Sequence, residues 1–213
     1  MAGRYRFVLA SKSPARLASL HSAGIDPEVR VSGADETRRP GERAVDLTAR
    51  LAELKATSVV ADLTITGPTI VVACDSVLDL DGRVLGKPHT AETAMRWWYR
   101  LRGRSGVLVT GHHICVIDES GRRDATRVGQ TTVTFADLTD DEVRSYADTG
   151  EPQRVAGAFT LDGYGGAFIT RIDGDPHNVT GISLPLVRQM LLDMDVAWEG
   201  LWDRGDDSPA SLD

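Results

Sequence analysis

The stretch "FVLASKSPARLASLHSAG", Phe7 to Gly24, commits the start of this chain to a strand that runs straight into a helix. Phe7-Val8-Leu9-Ala10 is a short apolar run bounded by polar residues, which reads as a buried strand. Ser13 followed by Pro14 is a helix start. The serine caps, and a proline at the first helical position loses no hydrogen bond that the helix needs. Leu17 and Leu20 give a short apolar stripe, and Gly24 suits a left-handed stop. A strand feeding a helix N-terminus presents free N–H groups and a partial positive charge. With the Ser11 and Ser13 hydroxyls and Arg16 nearby, this corner can seat an anion. Taken locally, it can also be no more than a cap beside a solvated arginine.

The same alternation continues. Val29 and Val31 can form a short strand, and Gly33 to Gly41 reads as a loop. From Ala44 to about Leu63, leucines 47, 51 and 54 share one helical face. Lys55 lies beside them, its stem on the core and its ammonium expected at the rim. Ile70 to Cys74 is a continuous buried strand. Val77 to Leu85 then reads as a hairpin closed at Asp81-Gly82, the favoured two-residue turn. "TAETAMRWWYRL" is a helix capped by Thr90. "VLVTGHHICVID" and "RVGQTTVTFADL" are strands parted by a turn near Glu119 to Gly121. "TDDEVRSYADTG" opens with a capping box, Thr139 with Glu142, and stops at Gly150. "GAFITRIDGD" reads as a strand and turn, and "LPLVRQMLLDM" as a last helix with Pro185 in its first turn. The expected fold is a single α/β domain over residues 1–202: a mixed, largely central sheet flanked by helices and waisted into two lobes. The small, polar residues 203–213 are expected to fray.

Charge and cysteine content exclude several classes. A net charge of −7 over 213 residues argues against sequence-independent nucleic-acid binding, which needs cations to displace counterions. It leaves room for a small anionic ligand in a locally basic cleft. No apolar run is long enough to span a bilayer, and Lys12 and Arg16 interrupt the first one too soon for a signal peptide. Cys74 and Cys115 each sit inside an apolar strand, so buried thiols and a cytoplasmic location are expected.

Chemistry gathers at three places. One is the Ser11–Arg16 corner. The second is "CDSV", where Asp75 is expected to end a buried strand, partly desolvated and therefore in need of a cationic or metal partner or a raised pKa. The third is "GKP", which holds Lys87 between a permissive and a rigid residue. Glu36, in "GADE", is an ordinary surface acid on local grounds. His112 and His113 point to opposite faces of a strand and do not share a metal. "GYGG", Gly163 to Gly166, implies close backbone approach to something and matches no mononucleotide loop.

Taken in order, "LASKSPAR", "ADE", "LAELKA", "ACDSV", "LGKP", "TGHH", "YADTGEP", "AGAFTLDGYGG" and "NVTGISLPL" resemble the Maf/HAM1-like family, specifically the Maf nucleoside triphosphate pyrophosphatases, from about Phe7 to Leu192. The resemblance implies an elongated α/β fold with a cleft between lobes, usually a homodimer. It also implies hydrolysis of nucleoside triphosphates to monophosphate and pyrophosphate with a divalent cation, Mg²⁺ or Mn²⁺. Asp75, Glu36, Lys55 and Lys87 take the catalytic positions of the family; Asp75 and Glu36 are its metal carboxylates. Ser11, Ser13 and Arg16 take the substrate-binding positions, and Ala15, Ser76 and Asp162 those that track base preference. The chain departs from the family where an Asp-Lys pair is usual; Arg154 and Val155 stand there, and Arg154 is the expected stand-in for that lysine. A non-catalytic, nucleotide-binding regulator of cell division is the alternative, disfavoured because both carboxylates and the lysines are kept.

Overall fold

An almost wholly buried strand of 12 residues in the middle of the sheet organises everything else. The computed structural model describes residues 5–203, so all but Asp203 of the expected tail lies outside the described residues. The strands are β1 (Arg6–Leu9), β2 (Glu28–Val29), β3 (Thr69–Leu80), β4 (Arg83–Leu85), β5 (Ser105–Asp118), β6 (Gly121–Phe135) and β7 (Ile169–Asp173). They form one mixed sheet in the order β2-β1-β3-β5-β6-β7, with β4 added to β3. β1 runs parallel to β2 and β3, and the remaining pairs are antiparallel. The helices are α1 (Pro14–Ser22), α2 (Ala44–Asp62), α3 (Ala91–Leu101), α4 (Asp140–Asp148), α5 (Pro176–Thr180) and α6 (Leu184–Leu192). The mixed α/β architecture is the one expected.

β3 departs from expectation in a way that matters. Asp75 does not end a strand: one strand of 12 residues runs through it, and Asp75 pairs in register with Gly111 of β5. A carboxylate in an apolar run looks like a boundary, yet hydrogen bonding along β5 carries the ladder past it. The opposite edge of β3 is shared. β1 pairs with Thr69–Val72 and β4 with Leu78–Leu80, which leaves Ala73–Val77 without a strand partner on that edge. β1 and β4 both exit at this gap. It separates a core of Phe7, Leu9, Ile70, Val72 and Met190 from one built around Trp98, Leu78, Phe135 and Tyr146. Trp98 meets the rings of Phe135 and Tyr146 edge-on, each with centroids 5.5 Å away, and its indole N–H donates to the Ala158 carbonyl at 2.8 Å.

Local signals place most elements. Ser13, Thr90 and Thr139 cap α1, α3 and α4, the last with the full capping box. Asp81 and Gly82 take φ of 50° and 80° in the β3–β4 hairpin, the left-handed pair such a turn requires. Val31 falls outside β2, and β7 begins only at Ile169 because Tyr164–Phe168 forms a 3₁₀ turn. α5 was not expected; its Asp175-Pro176 start repeats the Ser13-Pro14 signal, with the Asp175 carboxylate accepting from the His177 N–H at 2.9 Å.

α2 reaches the sheet because β5 has no side chain at Gly111. A Cβ there would lie 2.1 Å from the Thr48 carbonyl oxygen of α2, backbone that no rotamer change can move. Gly111→Ala should therefore cost about 3 kcal/mol by urea denaturation, at the upper end for overpacking. Gly33→Ala, with nothing within 4 Å of its Cβ, should stay within about 0.5 kcal/mol. Equal stabilities for the two variants would mean that α2 does not depend on Gly111.

Candidate active site

Side chains alternate along β3, so Asp75 and Ser76 face opposite layers. Asp75 shares the α2 face with Val71 and Ala73, whereas Ser76 shares the α1/α6 face with Val72 and Cys74. On the α2 face the Lys55 ammonium donates to Asp75 Oδ1 at 2.6 Å and lies 2.8 Å from Glu36 Oε2. Lys55 and Asp75 are each only 8% exposed. The ammonium expected at the rim is thus buried between two carboxylates, and Lys55 is the cationic partner that Asp75 needs. Glu36 closes the trio from the exposed loop before α2.

On the other face Arg16 spreads its fork over three neutral oxygens. Nη1 donates to Ser11 Oγ at 3.0 Å, Nη2 to Ser76 Oγ at 3.0 Å, and Nε to the Gly181 carbonyl at 2.7 Å. Ser11 Oγ also accepts from the Ser13 N–H at 3.2 Å. Ser76 is within 3.0 Å of Thr110 Oγ1, which donates to the Asn178 carbonyl. Hydroxyls and a carbonyl orient this guanidinium without cancelling its charge, which suits an anion-binding group. His112, beneath it, is buried and pushed down to about 4, first by burial and then by the Arg16 charge. Its Nε2 accepts from the Ser183 N–H at 2.8 Å at the start of α6, a role that requires the neutral ring.

Lys87 leaves the end of β4 toward the same gap. Its loop is pinned where the Gly157 N–H donates to the Gly86 carbonyl at 2.9 Å, and a Cβ on Gly157 would lie 2.7 Å from Leu78 Cβ. The Lys87 ammonium keeps solvent contact within a concave surround. Partial desolvation, and then the charges of Arg16 and Lys12, lower its pKa. Lys12, which sequence reasoning left unassigned, thus belongs to the cationic group; its place beside Ser11 and Ser13 was the available signal. Arg154 lies beside Gly150 at the end of α4.

Of the three positions that the resemblance ties to base preference, Ala15 and Asp162 line one half-open cavity of about 250 Å³, together with Ser19, Ser22, His177 and Leu184. Ser76 is instead the partner of Arg16. Glu36 and Asp75 are the carboxylates available to a cation. Among the described residues no three His, Cys, Asp or Glu side chains gather as a metal cage. Two carboxylates fit a hard cation whose remaining ligands are phosphate oxygens and waters.

A family model described as "Maf-like protein" matches residues 6–194. The nucleoside triphosphate pyrophosphatase of Cutibacterium acnes is 65% identical over 201 residues, covering 92% of this chain and 94% of that protein. Those of Salinispora tropica and Streptomyces avermitilis are 50% and 51% identical, over 94% and 93% of this chain and 88% and 95% of theirs. The solved structure of the Staphylococcus aureus Ham1 protein aligns with a TM-score of 0.48 and 16% identity, over 89% of this chain and 98% of that one.

Removing one partner of a buried pair strands the other's charge. Lys55→Met should cost about 3–5 kcal/mol in urea unfolding, and the doubly neutral Lys55→Met/Asp75→Asn should regain at least half of that. Lys87→Ala, exposed at the rim, should change stability by no more than about 0.5 kcal/mol. A Lys55→Met protein as stable as the wild type would show that Asp75 does not rely on this ammonium.

Proposed function

The chain belongs to the Maf family, and we propose that it hydrolyses nucleoside triphosphates to the monophosphate and pyrophosphate at the gap in β3. The observation that carries this reading is the position of Asp75: a buried carboxylate at an interrupted sheet edge, paired with Lys55 on one face, while Ser76, the next residue of β3, holds Arg16 on the other. Arg16 and the Ser11–Ser13 corner seat phosphate oxygens, with the α1 N-terminus adding its partial charge. Lys87 and Lys12 balance the charge that grows on the departing pyrophosphate. Arriving phosphates compete for the Lys55 ammonium, which frees Asp75 to take the proton of a water aligned on the α-phosphorus. Glu36 and Asp75 would hold Mg²⁺ or Mn²⁺ together with the phosphate oxygens, and the ion would supply charge neutralisation there.

The shared cavity of Ala15 and Asp162 favours a base with adjacent donors. An ionised carboxylate only accepts hydrogen bonds. Guanine offers an N–H and an NH₂ side by side, whereas uracil and thymine flank one N–H with carbonyl oxygens that repel it. Small Ala15 leaves room for a purine or a modified purine. A cytoplasmic location is supported by two free, buried thiols, Cys74 and Cys115, which burial pushes up to about 11 and about 12. A homodimer is supported by the family resemblance. No helix among the described residues is long and apolar enough to cross a membrane.

Pyrophosphate release should be measured across a nucleotide panel with Mg²⁺ or Mn²⁺. GTP and dGTP should be turned over faster than UTP and dTTP, and Asp75→Asn should lose at least about 10²-fold in kcat. Absence of pyrophosphate from every nucleotide would overturn the enzymatic reading, and a folded Asp75→Asn variant with normal turnover would overturn the role of Asp75. UTP and dTTP in the lead would overturn the guanine preference alone.

A further inference from the structure

The glycine-rich loop is folded around one acid that the reaction does not use. Glu151, just after α4, accepts four hydrogen bonds. Three reach Oε1: the Tyr146 hydroxyl at 2.9 Å, the Thr160 hydroxyl at 2.5 Å and the Gly165 N–H at 2.9 Å. The Tyr164 N–H reaches Oε2 at 3.0 Å. Burial acts to raise its pKa, but the hydrogen bonds from Thr160 and the Gly165 and Tyr164 backbone outweigh it and hold the group below its ordinary value. The glycines are explained by the same carboxylate. A Cβ on Gly163 would lie 2.2 Å from Glu151 Oε2, and one on Gly165 would lie 2.5 Å from the Tyr146 hydroxyl. The "something" that the GYGG run approaches is therefore the Glu151–Tyr146 pair.

The bonds from the loop grip it on both sides of Asp162: Thr160 before it, Tyr164 and Gly165 after it. Asp162 itself is exposed and lines the same cavity as Ala15. A short segment clamped at both ends has little freedom left at its centre, so the clamp decides where the Asp162 carboxylate stands. We propose that Glu151 is the positioning residue for base selection: by folding residues 160–165 onto its carboxylate it fixes Asp162 at the mouth of the base cavity. This rests on the nucleotide-hydrolysing reading above and adds the residue that sets its selectivity. Glu151 touches neither substrate nor reacting atoms in this scheme. Its effect travels through the loop, and so falls on KM and on the choice among bases more than on kcat.

The test is the ratio of kcat/KM for GTP to that for UTP in the wild type, Glu151→Gln, Asp162→Ala and the double variant, each checked for folding by circular dichroism. A glutamine keeps an oxygen for the three donors at Oε1 but loses the charge and sets an NH₂ against the Tyr164 N–H, so the clamp loosens on the C-terminal side of Asp162. Glu151→Gln should reduce the ratio about tenfold, mainly through KM, the scale of losing one well-placed contact in a selective pocket. Added to Asp162→Ala, it should change the ratio by less than about twofold, because the group it positions is gone. A merely structural brace would lower activity on all nucleotides alike. Should Glu151→Gln fail to fold, Thr160→Val removes a single donor and should move the ratio in the same direction by about threefold. A wild-type enzyme indifferent to the base, an unmoved ratio in the folded variants, or an equal shift with and without Asp162 would each overturn the proposal. A wild type that hydrolyses no nucleoside triphosphate would instead overturn the underlying reading, and this inference with it.

Discussion

A lysine ammonium buried between two carboxylates holds this molecule's chemistry in place. Lys55 joins α2 to the middle of β3 through Asp75 and draws in the loop that carries Glu36. The pair meets only because Gly111, opposite Asp75 in the ladder, lets α2 settle on bare backbone. Such a pair is poor value as cement. Two well-packed apolar side chains would hold a helix to a sheet as firmly, without the cost of desolvating two charges. On the proposed reading, its presence beside the open edge of a largely apolar strand is that of a reactive group stored with its counterion until an anion arrives to share the cation.

The interrupted edge of β3 gives that group its access. β1 and β4 pair with the two ends of the strand and leave its middle open. The chain leaving β1 brings Ser11, Lys12, Ser13 and Arg16, and the chain leaving β4 brings Lys87. Cations from distant parts of the sequence therefore converge by topology. Charge −7 overall and a basic gap locally are compatible, because an acidic exterior discourages polyanions while a local group of cations still suits a small anion. The arginine is oriented by neutral oxygens, the lysine at the rim is partly desolvated by its surround, and the neutral His112 beneath them adds no further positive charge.

Much of the fold was legible because it is written locally. Ser13-Pro14, Thr90 and the Thr139–Glu142 box announce helices by satisfying N–H groups within four residues, and Asp81-Gly82 announces a hairpin by backbone freedom alone. Asp75 was misplaced for a physical reason. Within a strand a charge reads as an ending, and the cation that permits it lies twenty positions earlier on another element. The meaning of the glycines was hidden likewise: Gly111 answers to Thr48, Gly157 to Leu78, and Gly163 to Glu151. Site residues could be named in order by resemblance, but local patterns did not show that Ser76 holds Arg16 while Ala15 and Asp162 share a cavity. Strand alternation separates Asp75 from Ser76 once the register of β3 is known, whereas the shared cavity of Ala15 and Asp162 is made by tertiary contact between α1 and the loop that carries Asp162.

The central claim is that water, activated beside Asp75, attacks the α-phosphorus and expels pyrophosphate. It is tested most directly by hydrolysing the preferred nucleoside triphosphate in H₂¹⁸O under single-turnover conditions and locating the label by mass spectrometry. One ¹⁸O in the nucleoside monophosphate, with unlabelled pyrophosphate, is the expected result. Label in pyrophosphate, or release of nucleoside diphosphate with labelled orthophosphate, would contradict it.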